Sequence, residues 1–246
     1  MGSKQRLAKD IVPIINDFIK NNNINIYIEP FVGGANMMEY IRCKEKIGAD
    51  NNEYLIDMWQ SLQTGWRPPE TMSKEMYEDI KNNKDEYGKS LVAVAGFCAT
   101  YNAKWFGGYA GVVKTKINTY RNYYDEAIRN ISKQMLNLMD VKFTCQDYTY
   151  FTGVNHTLIY CDPPYQGTTQ YGSSKGFDYD KFWDWVRLVS ENNIVLVSEY
   201  NAPDDFKSVY EKTLTTTLDK NSRKKDTEKL FVLQNKCKIF PTFEPP

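Results

Sequence analysis

Residues 24–50 read INIYIEPFVGGANMMEYIRCKEKIGAD, and this stretch decides the fold. INIYIEPF is rich in β-branched and aromatic residues, the composition of a buried strand. It runs into Gly33-Gly34, where the missing side chains let the backbone turn tightly and pass close to a ligand. ANMMEYIR then predicts a short helix, and KIGAD, residues 46–50, a second short strand. Strand, glycine turn, helix and strand make a βαβ unit, which implies a parallel sheet. Asp50 ends the unit 17 residues after Gly33, near the spacing at which a carboxylate reaches ribose hydroxyls in nucleotide-binding βαβ units. A glycine pair alone is an ordinary turn; joined to Asp50 it points to a nucleoside cofactor.

Upstream, Leu7, Ile11, Ile14, Ile15 and Phe18 fall on one helical face of residues 5–20, with Pro13 as a kink or boundary. Downstream, Glu53 to Leu62 predicts a second helix. The pattern changes at Thr64. Residues 65–140 hold Pro68-Pro69, a polar helical stretch, an apolar helix around Leu91 to Cys98, a Gly107-Gly108 turn and a helix from about Tyr123 to Met139. With no strand–helix alternation, this segment reads as a mostly helical insertion. The α/β pattern then resumes with VKFTCQ and TLIYCD as strands, FDYDKFWDWVRLVSEN as an amphipathic helix, and IVLVSE and LFVLQN as strands. The expected organisation is an α/β domain from residues 1–64 and 141–246, with 65–140 inserted.

Composition excludes several chemistries. With 31 basic and 31 acidic residues, there is no global electrostatic footprint for nucleic acid. The local distribution is uneven: Lys104, Lys114, Lys116, Arg121, Arg129 and Lys133 face only Asp125 and Glu126, and Arg223-Lys224-Lys225 forms a second basic cluster. His156 is the sole histidine, so a Ser-His-Asp triad would have to use it and multi-histidine metal sites are excluded. Five widely spaced cysteines form no C-x-x-C pair, which argues against a disulfide framework or a zinc site. No apolar run approaches membrane-spanning length, and residues 1–6 lack the apolar core of a signal peptide, so a cytoplasmic protein is expected.

The sharpest constellation is Leu158-Ile159-Tyr160-Cys161, an apolar strand running straight into Asp162-Pro163-Pro164-Tyr165. Open α/β sheets bind ligands at the carboxyl ends of their strands. The prolines fix φ and carry no N–H, so this backbone is stiff and offers carbonyls without competing donors. An exocyclic amine needs such a strip, because its lone pair is delocalised into the base. Asp162 and the Pro163 carbonyl could each accept one amine hydrogen, favouring a pyramidal nitrogen, while Tyr165 stacks on an extruded base.

These residues resemble the Dam-type N6-adenine DNA methyltransferases, the D12 class in which cofactor motif, recognition insertion and catalytic motif follow in that order. The likeness includes P-F-V-G-G-A at residues 30–35, D-P-P-Y at 162–165, Gly2-Ser3-Lys4 with Leu7, Asp50-Asn51-Asn52-Glu53, Gln146-Asp147-Tyr148, Val197-Ser198-Glu199-Tyr200 and Lys229-Leu230-Phe231-Val232. It implies a Rossmann-like sheet with S-adenosylmethionine held by Lys4, Phe31, Gly33, Asp50, Tyr148 and Asp162, and catalysis by Asp162, Pro163, Pro164 and Tyr165. It also implies double-stranded DNA as substrate, with Asn102, Lys104, Lys114, Lys116, Arg121 and Tyr171 as candidate contacts. A cognate restriction endonuclease is a candidate partner, in a bacterial or phage-infected cell; neither membrane nor metal is expected. Tyr101 to Phe106 matches the family's F-N-G-L-x-R stretch only loosely and the following hairpin is short, so no recognition sequence carries over. Two other readings stay open: amino-group methylation of RNA, at adenine N6 or guanine N2, and an inactive nucleic-acid-binding module.

Overall fold

The computed structural model describes residues 4–115, 117–166, 176–219 and 222–235, with 5–6, 214–219 and 222–226 described as backbone. Gly2, Ser3, Lys116, Tyr171 and Cys237 therefore lie outside the described residues.

Helix α1, Gln5–Asn21, runs through Pro13, whose ring lies on the exposed side while Leu7, Ile11, Ile15 and Phe18 are buried. Strands β1, Ile26–Glu29, and β2, Glu45–Asp50, pair in parallel as the βαβ reading requires. Their crossover departs from the expectation. ANMMEYIR is not an α-helix but a series of turns with one 3₁₀ turn at Met38–Tyr40. Gly33 and Ala35 hold φ of 47° and 51°, outside helical geometry, and Met37, Met38 and Ile41 are buried as plugs rather than as a helical face.

Helix α2, Glu53–Gln63, starts where the Asn52 side chain accepts the Leu55 N–H at 3.1 Å. Residues 65–140 then form helices α3, Lys74–Asn82, and α4, Lys89–Ala93, a π turn at Val94–Cys98, strands β3, Val112–Lys114, and β4, Tyr120–Asn122, and helix α5, Tyr123–Met135. The segment is mostly helical, with a short antiparallel hairpin the periodicity did not announce. Strands β5, Val141–Cys145, and β6, Leu158–Cys161, helix α6, Tyr179–Val189, and strand β7, Ile194–Glu199, follow as expected. The last strand is longer than LFVLQN: β8, Phe206–Asp219, and β9, Ser222–Leu233, form an extended hairpin, of which the sequence pattern marks only the end.

The seven strands stand in the order β5-β2-β1-β6-β7-β9-β8, parallel as far as β7 and antiparallel beyond it. Alternation along each strand sends Tyr27, Leu158, Tyr160 and Leu196 to one face, and Ile28, Ile159, Cys161, Val195 and Val197 to the other. The first face is covered by α1, α2 and the buried residues of 65–140, in one continuous cluster. The second is covered by α6, through Phe182, Trp183, Trp185 and Val186, with Tyr148 and Phe151. Both faces of the central strands are buried, which is why they read as apolar runs. The fold is thus the expected Rossmann-like α/β sheet.

Among the described residues Cys43, Cys98, Cys145 and Cys161 are free thiols, no group of three or more metal-ligating side chains converges, and no helix is long and apolar enough to cross a membrane.

Candidate active site

Strands β1 and β6 are neighbours, yet from β1 the chain moves to β2 and from β6 to β7, on opposite sides. The segments leaving their carboxyl ends diverge, and a crevice opens at such a reversal. Phe31 and Gly33 leave one lip, Asp162 to Tyr165 the other, and Asp50 ends the adjacent strand.

On the first lip, the Asp50 carboxylate is held from two sides: the Gly33 N–H donates to Oδ2 at 3.2 Å and the Asn52 N–H to Oδ1 at 2.9 Å. Burial raises the Asp50 pKa, and those two N–H groups oppose the shift. The turn is braced through its carbonyls, with the Trp59 indole N–H donating to Gly33 at 3.1 Å and the Gln134 amide to Gly34 at 2.9 Å. Each carboxylate oxygen retains a lone pair after one such bond, so Asp50 keeps acceptor capacity in a fixed orientation. Phe31 stacks on Tyr148 at 5.6 Å between ring centroids and meets Phe177 and Phe182 edge-on at 5.9 and 5.8 Å. Tyr148 is buried in this aromatic wall.

On the second lip, Lys4 sits at the start of α1 with its ammonium 3.3 Å from Asp162 Oδ1 and 2.8 Å from Glu228 Oε2. It also hydrogen-bonds the Tyr165 hydroxyl and lies 4.4 Å from that ring's centroid. The Tyr165 hydroxyl donates to Glu228 Oε2 at 2.6 Å, and its ring packs edge-on against Tyr200 at 4.7 Å. Burial raises the Asp162 pKa; the Lys4 charge opposes this and the Glu228 charge adds to it. Lys4, which the resemblance assigns to the cofactor, thus sits against the Asp162–Tyr165 strip.

Three acids of this cluster were not among the expected site residues. Glu29 is buried and accepts the Tyr27 hydroxyl at 2.8 Å, and burial pushes its pKa to about 8. Glu199 accepts the Gln166 N–H at 3.1 Å and the Tyr200 N–H at 2.7 Å, its pKa raised by burial to about 7. Glu228 ties Lys4 to Tyr165. The signal that could have found them is phase: Glu29 follows Tyr27, Glu199 follows Val197 and Glu228 precedes Leu230, each two residues from a buried side chain. An acid in step with a buried strand face is an anomaly to be explained.

The family described as D12 class N6 adenine-specific DNA methyltransferase matches residues 1–187. The chain belongs to this family.

Relatives include the Type II methyltransferase M.FokI of Planomicrobium okeanokoites, 24% identical over 76% of this chain and 31% of that protein. The modification methylase StsI of Streptococcus sanguinis is 27% identical over 75% of this chain and 30% of its own length. The chain thus spans about a third of the length of these two relatives. The Type II methyltransferase M.MjaIII of Methanocaldococcus jannaschii is 26% identical over 85% of this chain and 86% of that protein.

The cofactor of D12-class enzymes is S-adenosylmethionine, and the residues of this D12-class chain fit it on chemical grounds. Asp50 offers oriented acceptors for a ribose diol and Phe31 an aromatic surface for the adenine. Among the described residues, the acids Asp162, Glu199 and Glu228 outnumber the Lys4 ammonium beside them, a balance that suits a sulfonium.

Of the expected nucleic-acid contacts in this D12-class chain, Asn102, Lys104, Lys114 and Arg121 are exposed. Asn102 lies in a 3₁₀ turn with φ of 56°, and Lys114 in β3. Arg121 is engaged: its guanidinium pairs with Glu126 at 2.7–2.9 Å and lies 4.4 Å from the Tyr123 ring centroid. Tyr120 is exposed, whereas Tyr124 is buried with its hydroxyl donating to the Pro69 carbonyl at 2.7 Å. His156 sits in a turn before β6 at φ of 55°, at the amino end of the sheet and away from the crevice.

Proposed function

We propose that the protein transfers a methyl group from S-adenosylmethionine to the N6 amine of adenine in double-stranded DNA. The observation that carries this reading is Asp162, a half-buried carboxylate paired with Lys4 at the carboxyl end of β6, across the strand reversal from the Gly33 turn with its anchored Asp50. When bound, the cofactor would supply an electrophilic sulfonium methyl, with a neutral thioether as the leaving group. Phe31, Gly33 and Asp50 fix where that methyl lies. Asp162 and the Pro163 carbonyl accept the two N6 hydrogens and direct the nitrogen lone pair towards it. Tyr165 presents its ring to the extruded base, a contact worth about 1–3 kcal/mol. Its hydroxyl is already tied by Lys4 and Glu228, so little freedom remains to be lost. The proton that the methylated amine releases passes to Asp162, whose raised pKa suits an acceptor.

In this reading residues 65–140 are the target-recognition subdomain, with Asn102, Lys104, Lys114 and Arg121 towards DNA, and residues 1–64 and 141–246 are the catalytic domain. The names Type II methyltransferase and modification methylase borne by the relatives support a role beside a cognate endonuclease.

Purified protein incubated with labelled cofactor and mixed-sequence duplex DNA is expected to yield N6-methyladenine. Asp162→Asn is expected to lower the rate at least about 100-fold. Folded, cofactor-bound protein that makes no N6-methyladenine would overturn the assignment.

A further inference from the structure

The β8–β9 hairpin is longer than the sheet needs. Strand β9 pairs with β7 only over Val197↔Phe231, Ser198↔Leu230 and Glu199↔Lys229. Its pairing with β8 continues to Asp219↔Ser222, with register shifts at Ser208/Tyr210 and Thr217/Asp219. Because β9 is antiparallel to β7, residues 222–228 lie beyond the carboxyl end of β7, the end of the sheet that carries the crevice. At about 3.4 Å per residue the two-stranded ribbon extends some 20 Å past Glu199.

The ribbon's root is part of the site. Glu228, its first residue past β7, accepts hydrogen bonds from Lys4 and Tyr165. On the other strand, Tyr210 and Lys212 are anchored to Asp10 of α1 at 3.0 and 2.5 Å. The base of the ribbon is therefore held on both strands beside the candidate site.

Its composition contrasts with the neutral chain. Residues 212–226 carry five basic residues against two acidic ones, no aromatic, and only Leu214 and Leu218 as apolar residues. In register, Arg223, Lys224 and Lys225 stand opposite Thr217, Thr216 and Thr215, and the exposed Thr213 hydroxyl meets Thr227 at 3.1 Å. Threonine, lysine and arginine are phosphate-contacting types. Without aromatics the ribbon has no platform for stacked single-stranded bases. With two leucines it has little of the apolar core that protein interfaces bury. A two-stranded ribbon is also a shape the major groove admits.

We propose that this ribbon is a second DNA-binding arm, outside residues 65–140, which grips the sugar-phosphate backbone of the duplex flanking the target adenine. The proposal rests on duplex DNA being the substrate, but its test reads binding rather than methylation, so the two can fail separately. The variant R223A/K224A/K225A is compared with wild-type protein by fluorescence anisotropy on a labelled random duplex over a series of salt concentrations. Removal of three backbone contacts is expected to weaken binding on the order of tenfold or more at 150 mM salt. It should also flatten the slope of log affinity against log salt by roughly 2–3.

The charge-preserving variant R223K/K224R/K225R is expected to keep both affinity and slope, which separates loss of charge from loss of fold. Affinity for S-adenosylhomocysteine should be the same in all three proteins. An unaltered slope and affinity in the alanine variant would overturn the arm. So would a change confined to oligomeric mass in light scattering, which would make the ribbon a protein contact. If wild-type protein binds the duplex through the ribbon and yet methylates nothing, the arm stands and the methyltransferase reading falls.

Discussion

Burial of Glu29 beside Tyr27 leaves a carboxyl group where water cannot solvate its charge, and its pKa rises to about 8. In the unfolded chain the same group titrates near 4.5. A folded-state pKa above the unfolded one means that the contribution to stability is complete below about pH 4.5 and is lost as pH climbs through 8. Glu29→Gln keeps the shape and an acceptor for the Tyr27 hydroxyl but cannot ionise. Urea unfolding at pH 6 and pH 9 is expected to show the wild-type protein losing more stability across that interval than the variant. Equal losses would mean that Glu29 is not held neutral in the folded state. The same residue shows why the site was only partly legible. D-P-P-Y and G-G are short motifs with fixed chemistry, whereas Glu29, Glu199 and Glu228 belong to no motif and are defined by which way a strand turns them.

Strand β7 ends in a clasp: the Glu199 carboxylate takes one N–H from Gln166, at the exit of the catalytic strip, and one from Tyr200. Burial is the largest cause of its raised pKa, about 7; the Asp162 charge adds to it, and the two N–H groups and Lys4 oppose it. The ionised form is the full acceptor, so the clasp loosens as pH falls through 7. Initial methylation rates between pH 5.5 and 8.5 are expected to show an acid limb near 7 that Glu199→Gln flattens. A limb of the same midpoint in the variant would exclude the clasp as its origin. The elements that carry these groups differed in how readable they were. Strands β1, β6 and β7 are buried on both faces and announce themselves as apolar runs. ANMMEYIR mimicked a helix because Met37, Met38 and Ile41 share a helical spacing, but Gly33 and Ala35 at positive φ turn the backbone away from it. Strand β8 and the outer half of β9 are not legible in the sequence because TLTTTLDKNSRKKD has no apolar alternation to mark a strand's period.

At the scale of the whole molecule, the crevice lies over the boundary between strands whose two faces belong to different hydrophobic clusters. A ligand that bridges Asp50 to the strip adds a direct link between the ends of β2 and β6. S-adenosylhomocysteine at 100 times its dissociation constant is expected to stabilise the fold by about 2.7 kcal/mol. For a chain of this size that is a rise in melting temperature of roughly 5–10 °C. Asp50→Ala should abolish the rise while leaving the melting temperature of the ligand-free protein within a few degrees of wild type, as read by differential scanning fluorimetry. A full shift in the variant would remove Asp50 from the cofactor site.

Lys4 and Glu228, which pair beside Asp162 and Tyr165, are 224 residues apart in the chain. On the ribosome, at about 5–20 residues per second, the first waits on the order of tens of seconds before the second has even been made. Until then the nascent chain carries its Gly33-Gly34 turn and its D-P-P-Y strip without the acid that clasps Lys4. The order of synthesis therefore postpones assembly of the complete cluster until nearly the whole described chain has been translated.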